Sequence, residues 1–205
     1  MMKKMALITA CVVGFLLCPV AEGGDFTFDR IDSSGAWYTY SGYVDDDDAD
    51  KLRDVMINHL GRNVFIVINS GGGSAYGGLG LFWEAERWDN LITIAGKDYG
   101  AWSAAAMFWL GSPRDWFEGK EAKVGFHQAY CNSWRPPGCD ISVFRERLVE
   151  AFDRAGYHGL IFDMWLTDCQ ATWGVQGWAL VTDEGWSFYH SDYGLSVKIN
   201  PIWEI

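Results

Sequence analysis

Short apolar runs alternate with longer amphipathic segments along most of this chain. The runs NVFIVIN (63–69), LITIAG (91–96) and KVGFH (123–127) are continuous and apolar, which is typical of strands buried on both faces. WALVT (178–182) predicts a further strand, and AWYTYSGYV (36–44) has strand composition. Because helical segments separate these runs, the sequence predicts an α/β domain with a mostly parallel sheet and flanking helices.

The helices are predicted from segments with helical spacing of apolar residues or with small, packed side chains. The first of them begins in the run of four aspartates, whose charge suits a helix N-terminus better than a calcium loop, since the EF-hand spacing is missing. The predicted helices are residues 45–60, 74–88, 103–111, 140–169 (with a break near Gly156) and 183–195.

A glycine-rich segment, NSGGGSAYGG (69–78), follows the first buried run directly. Three consecutive glycines are conformationally costly, and they stand where a parallel strand ends and ligands are usually bound. The spacing fits neither a phosphate-binding P-loop, nor a dinucleotide-binding fingerprint, nor a G-x-S-x-G elbow. What remains is a loop whose N–H groups lie along a bound chain or point at a developing oxyanion.

Two polar residues stand at the ends of other predicted strands, in the order glycine loop, serine, histidine. Ser103 stands between a strand and a helix of small residues, and His127 ends the next buried run. Each has an ordinary role by itself, since a serine at a helix start usually caps it and a strand-end histidine is usually a satisfied polar residue. Their occurrence together with the glycine loop predicts a nucleophile and a general base.

The charge of the chain excludes some classes of binding partner. The chain has 205 residues and a net charge of −11, and no cluster of Lys and Arg interrupts it, so neither nucleic acid nor an anionic membrane surface is expected as a partner. Cysteine and histidine do not stand at zinc-ligand spacing, and no metal or other cofactor is predicted.

The first 23 residues predict an export signal. A basic start, MMKK, precedes an apolar core and the small residues AEGG. We therefore expect a signal peptide at 1–23, a single domain at 24–205, and a periplasmic or secreted protein. The alternative is a leader retained as an N-terminal membrane anchor.

Export makes a disulfide plausible among the cysteines that follow the leader. A bond between Cys131 and Cys139 would close the small proline-rich loop CNSWRPPGC. Cys169 is then either a buried thiol or the true partner of one of these two, and the sequence does not decide between the pairings.

Taken together, these motifs resemble the Clp-peptidase and crotonase superfamily, specifically the exported Clp-like or signal-peptide-peptidase-like serine peptidases. VFIVINSGGGSAYGGLGLF resembles the strand, the I-N-S-P-G-G-S loop and the small-residue helix of the Clp signature. YGAWSAAAMFWLG resembles the segment with the nucleophile, and AKVGFHQAY resembles the strand that ends in the catalytic histidine. The resemblance covers residues 36–130 well and 175–199 weakly, and it implies a Clp/crotonase-like ββα superhelix.

Carried over by position, the resemblance makes Ser103 the nucleophile and His127 the base. Gly73 and Ala104 would supply the oxyanion N–H groups. A bound peptide would lie extended against the loop, in contact with Gly71, Gly72 and Ser74.

The sequence departs from the family at three points. Gly71 replaces a proline, Trp102 replaces a small residue before the nucleophile, and no acid stands at the position of the family's catalytic aspartate. Asp168 becomes the third catalytic residue if its loop bends back. A Ser–His dyad oriented by Gln176 or by a backbone carbonyl is the alternative, and a lysine dyad has no matched position.

The function implied by this resemblance is an exported, ATP-independent serine peptidase that cleaves peptides or unfolded protein segments. It would form a homo-oligomer, and export makes a cytosolic unfoldase partner unlikely. The alternative is a Clp-fold binding or scaffold protein with an inactive site. Crotonase-like acyl-CoA chemistry is disfavoured, because it usually employs Glu or Asp as a base and does not explain Ser103 with His127.

Overall fold

The computed structural model describes residues 23–127, 141–157, 159, 177–182, 185–190 and 196–198. The helices are α1 (Asp48–Ile57), α2 (Ala75–Ala85), α3 (Ala104–Gly111) and α4 (Ile141–Arg154). The strands are β1 (Asp25–Ile31), β2 (Ala36–Ser41), β3 (Val64–Asn69), β4 (Leu91–Ala95), β5 (Ala101–Trp102), β6 (Asp115–Phe117), β7 (Val124–His127), β8 (Gly177–Thr182), β9 (Gly185–His190) and β10 (Ser196–Lys198). Within these ranges, no helix combines the length and the apolarity needed to span a membrane.

The first sheet has the strand order β1-β2-β3-β4-β6. Strands β2, β3, β4 and β6 run parallel to one another, and β1 adds an antiparallel edge. Because the carboxyl ends of the parallel strands share one edge, the glycine loop that follows β3 and the loop that follows β4 lie side by side. The α/β class and the parallel sheet with flanking helices are therefore confirmed.

The main core lies where helices pack on this sheet. Its fully buried large side chains include Tyr40, Ile66, Phe82 and Phe108, and each such burial contributes about 2 kcal/mol to stability.

Small residues bring α2 and α3 close together beside that core. A Cβ atom at Gly78 would lie 2.7 Å from the carbonyl oxygen of Ala104, and one at Gly111 would lie 2.5 Å from the carbonyl oxygen of Phe82. Gly78 therefore allows the start of α3 to pack closely on α2, and Gly111 does the same at the end of α3.

The second sheet has the order β10-β9-β8-β7-β5. Only the β5–β7 pair is parallel among its described pairs, and the rest are antiparallel. The two sheets meet where Ser70 pairs with Ala101. The Ser70 amide donates to the Gly100 carbonyl at 3.0 Å, and the Trp102 amide donates to the Ser70 carbonyl at 3.0 Å. This junction is where the glycine loop begins.

The helix predicted at 183–195 is wrong, because residues 185–190 form strand β9. This strand pairs antiparallel with β8, and Thr182 lies opposite Gly185. Only two residues separate the strands, which is the length of a tight hairpin loop, and the aromatic composition of GWSFYH favours a strand. Strands β1, β5, β6 and β10 were not predicted either.

The acidic run before α1 does not cap the helix through the side chain at its N-cap, since Asp47 makes no such bond. Instead, Asp48 is fully buried and accepts hydrogen bonds from the Tyr40 hydroxyl at 2.7 Å, the Asp45 amide at 2.8 Å and the Lys51 ammonium at 2.7 Å. Burial and the bond to Asp48 raise the pKa of Tyr40 well above its ordinary value. The run therefore ties α1 to β2.

Candidate active site

The glycine loop lies between two segments of backbone. On one side, the Val44 amide donates to the Gly72 carbonyl at 3.1 Å, and the Ser74 amide donates to the Val44 carbonyl at 2.8 Å. On the other side lie β5 and the start of α3, joined to the loop through Ser70. Backbone pairing on the Val44 side therefore reaches Ser74, whereas the described pairing on the β5 side ends at Ser70.

The Gly73 amide is unused within the described part of the chain. A parallel bridge to Val44 engages the residues before and after Gly73, so the Gly73 N–H points away from Val44. That direction leads toward the side of the loop on which Ser103 lies. The amide is thus available to a ligand, and its role as an oxyanion donor stays a prediction.

Gly72 makes the close contact between the loop and the predicted nucleophile. Its φ is +94°, and a Cβ atom there would lie 2.6 Å from the Cβ of Ser103, 2.6 Å from the Trp102 carbonyl oxygen and 3.0 Å from the Ala104 amide nitrogen. No residue with a side chain fits this contact without displacing backbone. The three glycines implied that some group lies close to the loop, and at Gly72 this group is Ser103.

Ser103 has a backbone conformation that is rare for a residue with a side chain. Its φ is 55° and its ψ is −120°, and it is the one non-glycine residue with positive φ among the residues described. These angles match the first central position of a type II′ turn, which is usually glycine. Such strain costs on the order of 1–3 kcal/mol and is concentrated at functional sites.

The hydroxyl of Ser103 does not cap α3. Although Ser103 occupies the N-cap position, its side chain makes no capping hydrogen bond. Its amide donates to the Gly125 carbonyl at 2.7 Å, and its carbonyl accepts from the Ala106 amide at 3.1 Å. The backbone of Ser103 is therefore held from both sides, while the ordinary structural role of a serine at a helix start is absent.

The first amide of α3 is also available. Within the described ranges, the Ala104 N–H has no hydrogen-bond acceptor, as expected at a helix N-terminus. The helix dipole favours negative charge at this end. Ala104 and Gly73 therefore present two amides on the two sides of the contact between Gly72 and Ser103.

His127 ends the strand next to the one that leads into Ser103. In the parallel β5–β7 pair, Ala101 lies opposite Val124 and Trp102 lies opposite Gly125. Neighbouring strands are about 4.8 Å apart, so this register brings Ser103 and the half-buried His127 to adjacent strand ends. A hydrogen bond between their side chains stays a prediction.

The resemblance places the family's aspartate near Gly177 or Trp178, and this placement stays a prediction. Trp178, in β8, lies opposite His127 in the antiparallel β7–β8 register. No acid occupies that register position, as the sequence indicated. The other residues proposed for this role, Asp168 and Gln176, lie outside the described residues, as do Cys131, Cys139 and Cys169.

Ser74 has a structural role in the loop. It is buried, and it caps α2 by accepting a hydrogen bond from the Gly77 amide at 3.3 Å. Its hydroxyl also donates to Asp46. The Ser74 amide donates to Val44 and its carbonyl accepts from the Gly78 amide at 2.9 Å, so the described contacts give Ser74 a role in shaping the loop, and its contact with a substrate stays a prediction.

A cleft of about 410 Å³ adjoins this arrangement and is lined by Gly71, Asp98, Tyr99 and Trp102. The indole N–H of Trp102 donates to the Tyr99 carbonyl at 2.6 Å. The Trp102 ring packs on Gly125, where a Cβ atom would lie 2.2 Å from Cε3. The large ring before the nucleophile therefore forms a wall of the cleft.

Sequence reasoning missed Asp98, Tyr99 and Gly125 as parts of this region. A signal existed for one of them, because a glycine inside a strand often marks the close approach of another group. Asp98 and Tyr99 lie in a loop, and their place beside Trp102 depends on how that loop folds back. No local pattern indicates it.

No family model matches the chain, and no curated protein sequence matches it. Among solved structures, it is similar to a mutant form of the 1510-N membrane-bound stomatin-specific protease, with a TM-score of 0.47 and 12% sequence identity over 72% of each chain. A likeness at this level says nothing about function, so the chemistry must be derived from the site.

Proposed function

We propose that the protein is a serine peptidase with Ser103 as its nucleophile. The observation that carries the proposal is the strained backbone of Ser103, whose side chain makes no capping bond. Strain of this kind persists only where the surroundings impose it, and here Gly72 and Gly125 hold the residue from both sides. A structural serine would gain nothing from this conformation, whereas a nucleophile gains a fixed, accessible hydroxyl.

The proposed reaction uses only groups of this chain. The Ser103 hydroxyl attacks the peptide carbonyl while His127 takes its proton, and the Gly73 and Ala104 amides stabilise the oxyanion. His127 then gives the proton to the leaving amine. Water next attacks the acyl-enzyme while His127 takes a proton from it, and His127 returns this proton to the Ser103 oxygen as the acyl group leaves. Asp168 or Gln176 would orient His127.

The proposed substrate is an extended peptide or an unfolded protein segment. The loop from Gly71 to Gly73 continues β3, so a peptide added beside it would take the place of a further strand. Main-chain hydrogen bonds of this kind are independent of sequence and suit a peptidase that accepts varied segments. We also propose that the protein is exported, that it acts without ATP and that it forms a homo-oligomer.

A second candidate is a binding or scaffold protein that retains the fold without catalysis. The observation that favours it is Trp178 opposite His127, where an acid would be expected. In that case the cradle of Gly72, Gly73 and Ala104 would bind a peptide or a terminal carboxylate and leave it intact.

Hydrolysis of a diverse peptide mixture, followed by mass spectrometry, distinguishes the two candidates. We expect new termini with the wild-type protein and none with Ser103→Ala or His127→Ala, since each removal costs roughly 10⁴-fold or more in rate. Ser112→Ala serves as the matched control, because Ser112 starts no helix and bonds only to backbone carbonyls and amides. Equal cleavage by wild type and Ser103→Ala would refute the assignment of the nucleophile, and no cleavage by any of them would favour the binding protein.

A further inference from the structure

The cleft beside Ser103 has a chemical character of its own. Trp102 lines it and directly precedes Ser103, and Gly71, which also lines it, belongs to the glycine loop. A substrate held by the loop with its carbonyl at Ser103 would therefore place a neighbouring side chain in this cleft.

One wall of the cleft carries an uncompensated negative charge. Asp98 is exposed and forms no ion pair with any described residue, whereas the adjacent Lys97 is engaged with Glu118. The Lys97 amide also donates to the Glu118 carboxylate at 3.0 Å, which holds the pair in place. Lys97, the basic residue next to Asp98 in the sequence, is thus paired with Glu118 and does not neutralise Asp98.

The remaining walls are aromatic. Tyr99 is 61% exposed, and its ring lies beside Gly71, where a Cβ atom would come within 3.2 Å of the hydroxyl oxygen. The indole N–H is the only side-chain donor of Trp102, and it is bonded to the Tyr99 carbonyl. Trp102 therefore contributes only the surface of its ring to the cleft. Aromatic rings beside a carboxylate suit a cation on an alkyl stem, because the ring faces attract the charge and the stem packs on the rings.

We propose that this cleft binds the lysine or arginine side chain adjacent to the attacked carbonyl and makes the peptidase selective for basic residues. The inference rests on the proposed function, since it assigns the substrate class of the same site. The net charge of −11 acts in the same direction, because an acidic protein attracts basic peptides.

The test compares two peptides that differ only in lysine or norleucine next to the scissile bond. We expect kcat/KM to be about tenfold higher for lysine, the size of a cation–π contact combined with a partly screened carboxylate. Asp98→Asn should reduce this preference to about threefold, and Asp98→Lys should abolish it. Asp89→Asn removes the same charge from the turn at the opposite end of β4 and should leave the preference unchanged.

A binding measurement separates failure of this inference from failure of the peptidase assignment. In Ser103→Ala, the Trp102 indole NMR signal, assigned with Trp102→Phe, should shift on addition of N-acetyl-lysine amide and not of N-acetyl-norleucine amide. Asp98→Asn should weaken that shift. If the signal responds while no variant hydrolyses peptides, only the peptidase assignment fails. If the wild type cleaves but prefers norleucine, or neither amide shifts the signal, the basic specificity is refuted.

Discussion

Gly72 lies directly against Ser103, and a Cβ atom on Gly72 would fall 2.6 Å from the Cβ of Ser103. The glycine loop and the predicted nucleophile are therefore parts of one arrangement. The missing side chain of Gly72 permits this contact. Gly73 follows Gly72 and Ala104 follows Ser103, and the amide of each has no acceptor among the residues that the structure describes. The geometry explains why the segment contains glycine at a position where no other residue fits.

Gly72→Ala should destabilise the protein by about 3 kcal/mol, because it combines overpacking with a positive φ. Gly61→Ala is the matched control, since Gly61 has φ +75° and a Cβ atom there would meet nothing within 4 Å. That variant should lose only about 1 kcal/mol. Urea unfolding followed by circular dichroism measures both, and equal losses would show that contact with Ser103 adds nothing to the backbone strain.

Ser103→Gly should raise the free energy of unfolding by about 1 kcal/mol relative to Ser103→Ala, because glycine adopts φ 55° without strain whereas alanine does not. Both variants lack the hydroxyl and should be inactive. Thermal unfolding of the two proteins side by side makes the comparison. A glycine variant less stable than the alanine variant would show that the conformation of Ser103 is not strained.

The buried carboxylate of Glu84 should make stability depend on acid pH. Its oxygens accept hydrogen bonds from Arg53 at 2.7 and 3.2 Å and from the Trp88 indole at 3.0 Å. Burial works to raise the pKa of Glu84, but these bonds and the charge of Arg87 outweigh burial, and the pKa lies below its ordinary value of 4.5. The stabilisation is therefore complete above pH 4.5 and is lost as the pH falls through the lower, folded-state pKa.

Glu84→Gln should lose about 2 kcal/mol at pH 7 and should show a smaller further loss toward pH 3 than the wild type. Glu86→Gln is the control, since Glu86 pairs with Arg154 at the surface and such pairs contribute about 0.5 kcal/mol. Urea unfolding at several pH values gives the comparison. An unchanged acid dependence in Glu84→Gln would place its origin in other carboxylates.

The sequence predicted the parts of the fold that depend on long apolar runs. Strands β3, β4 and β7 are largely buried and continuous. The glycine loop follows β3, Ser103 follows β5 and His127 ends β7, in the predicted order. Strand β9 has aromatic residues that favour a strand, but its assignment depends on pairing with β8, which no local pattern shows. Strand β6 has three residues, too few for any period to be read.

The sequence predicted which residues form the site, but it did not predict how they contact one another. The triple glycine indicated that another group comes close to the loop. Only the structure identifies Gly72 as the glycine that contacts Ser103. The sequence showed Trp102 only as a departure from the family's small residue, and its packing on Gly125 makes it a wall of the cleft. Contacts of this kind join residues far apart along the chain, so no local pattern contains them.

The central claim is that Ser103 is an activated nucleophile facing an oxyanion cradle, and reaction with a fluorophosphonate tests it most directly. We expect the intact purified protein to gain one adduct, mapped by peptide mass spectrometry to Ser103 and absent from both Ser103→Ala and heat-unfolded protein. An unmodified protein, or an adduct that persists in Ser103→Ala, would contradict the claim.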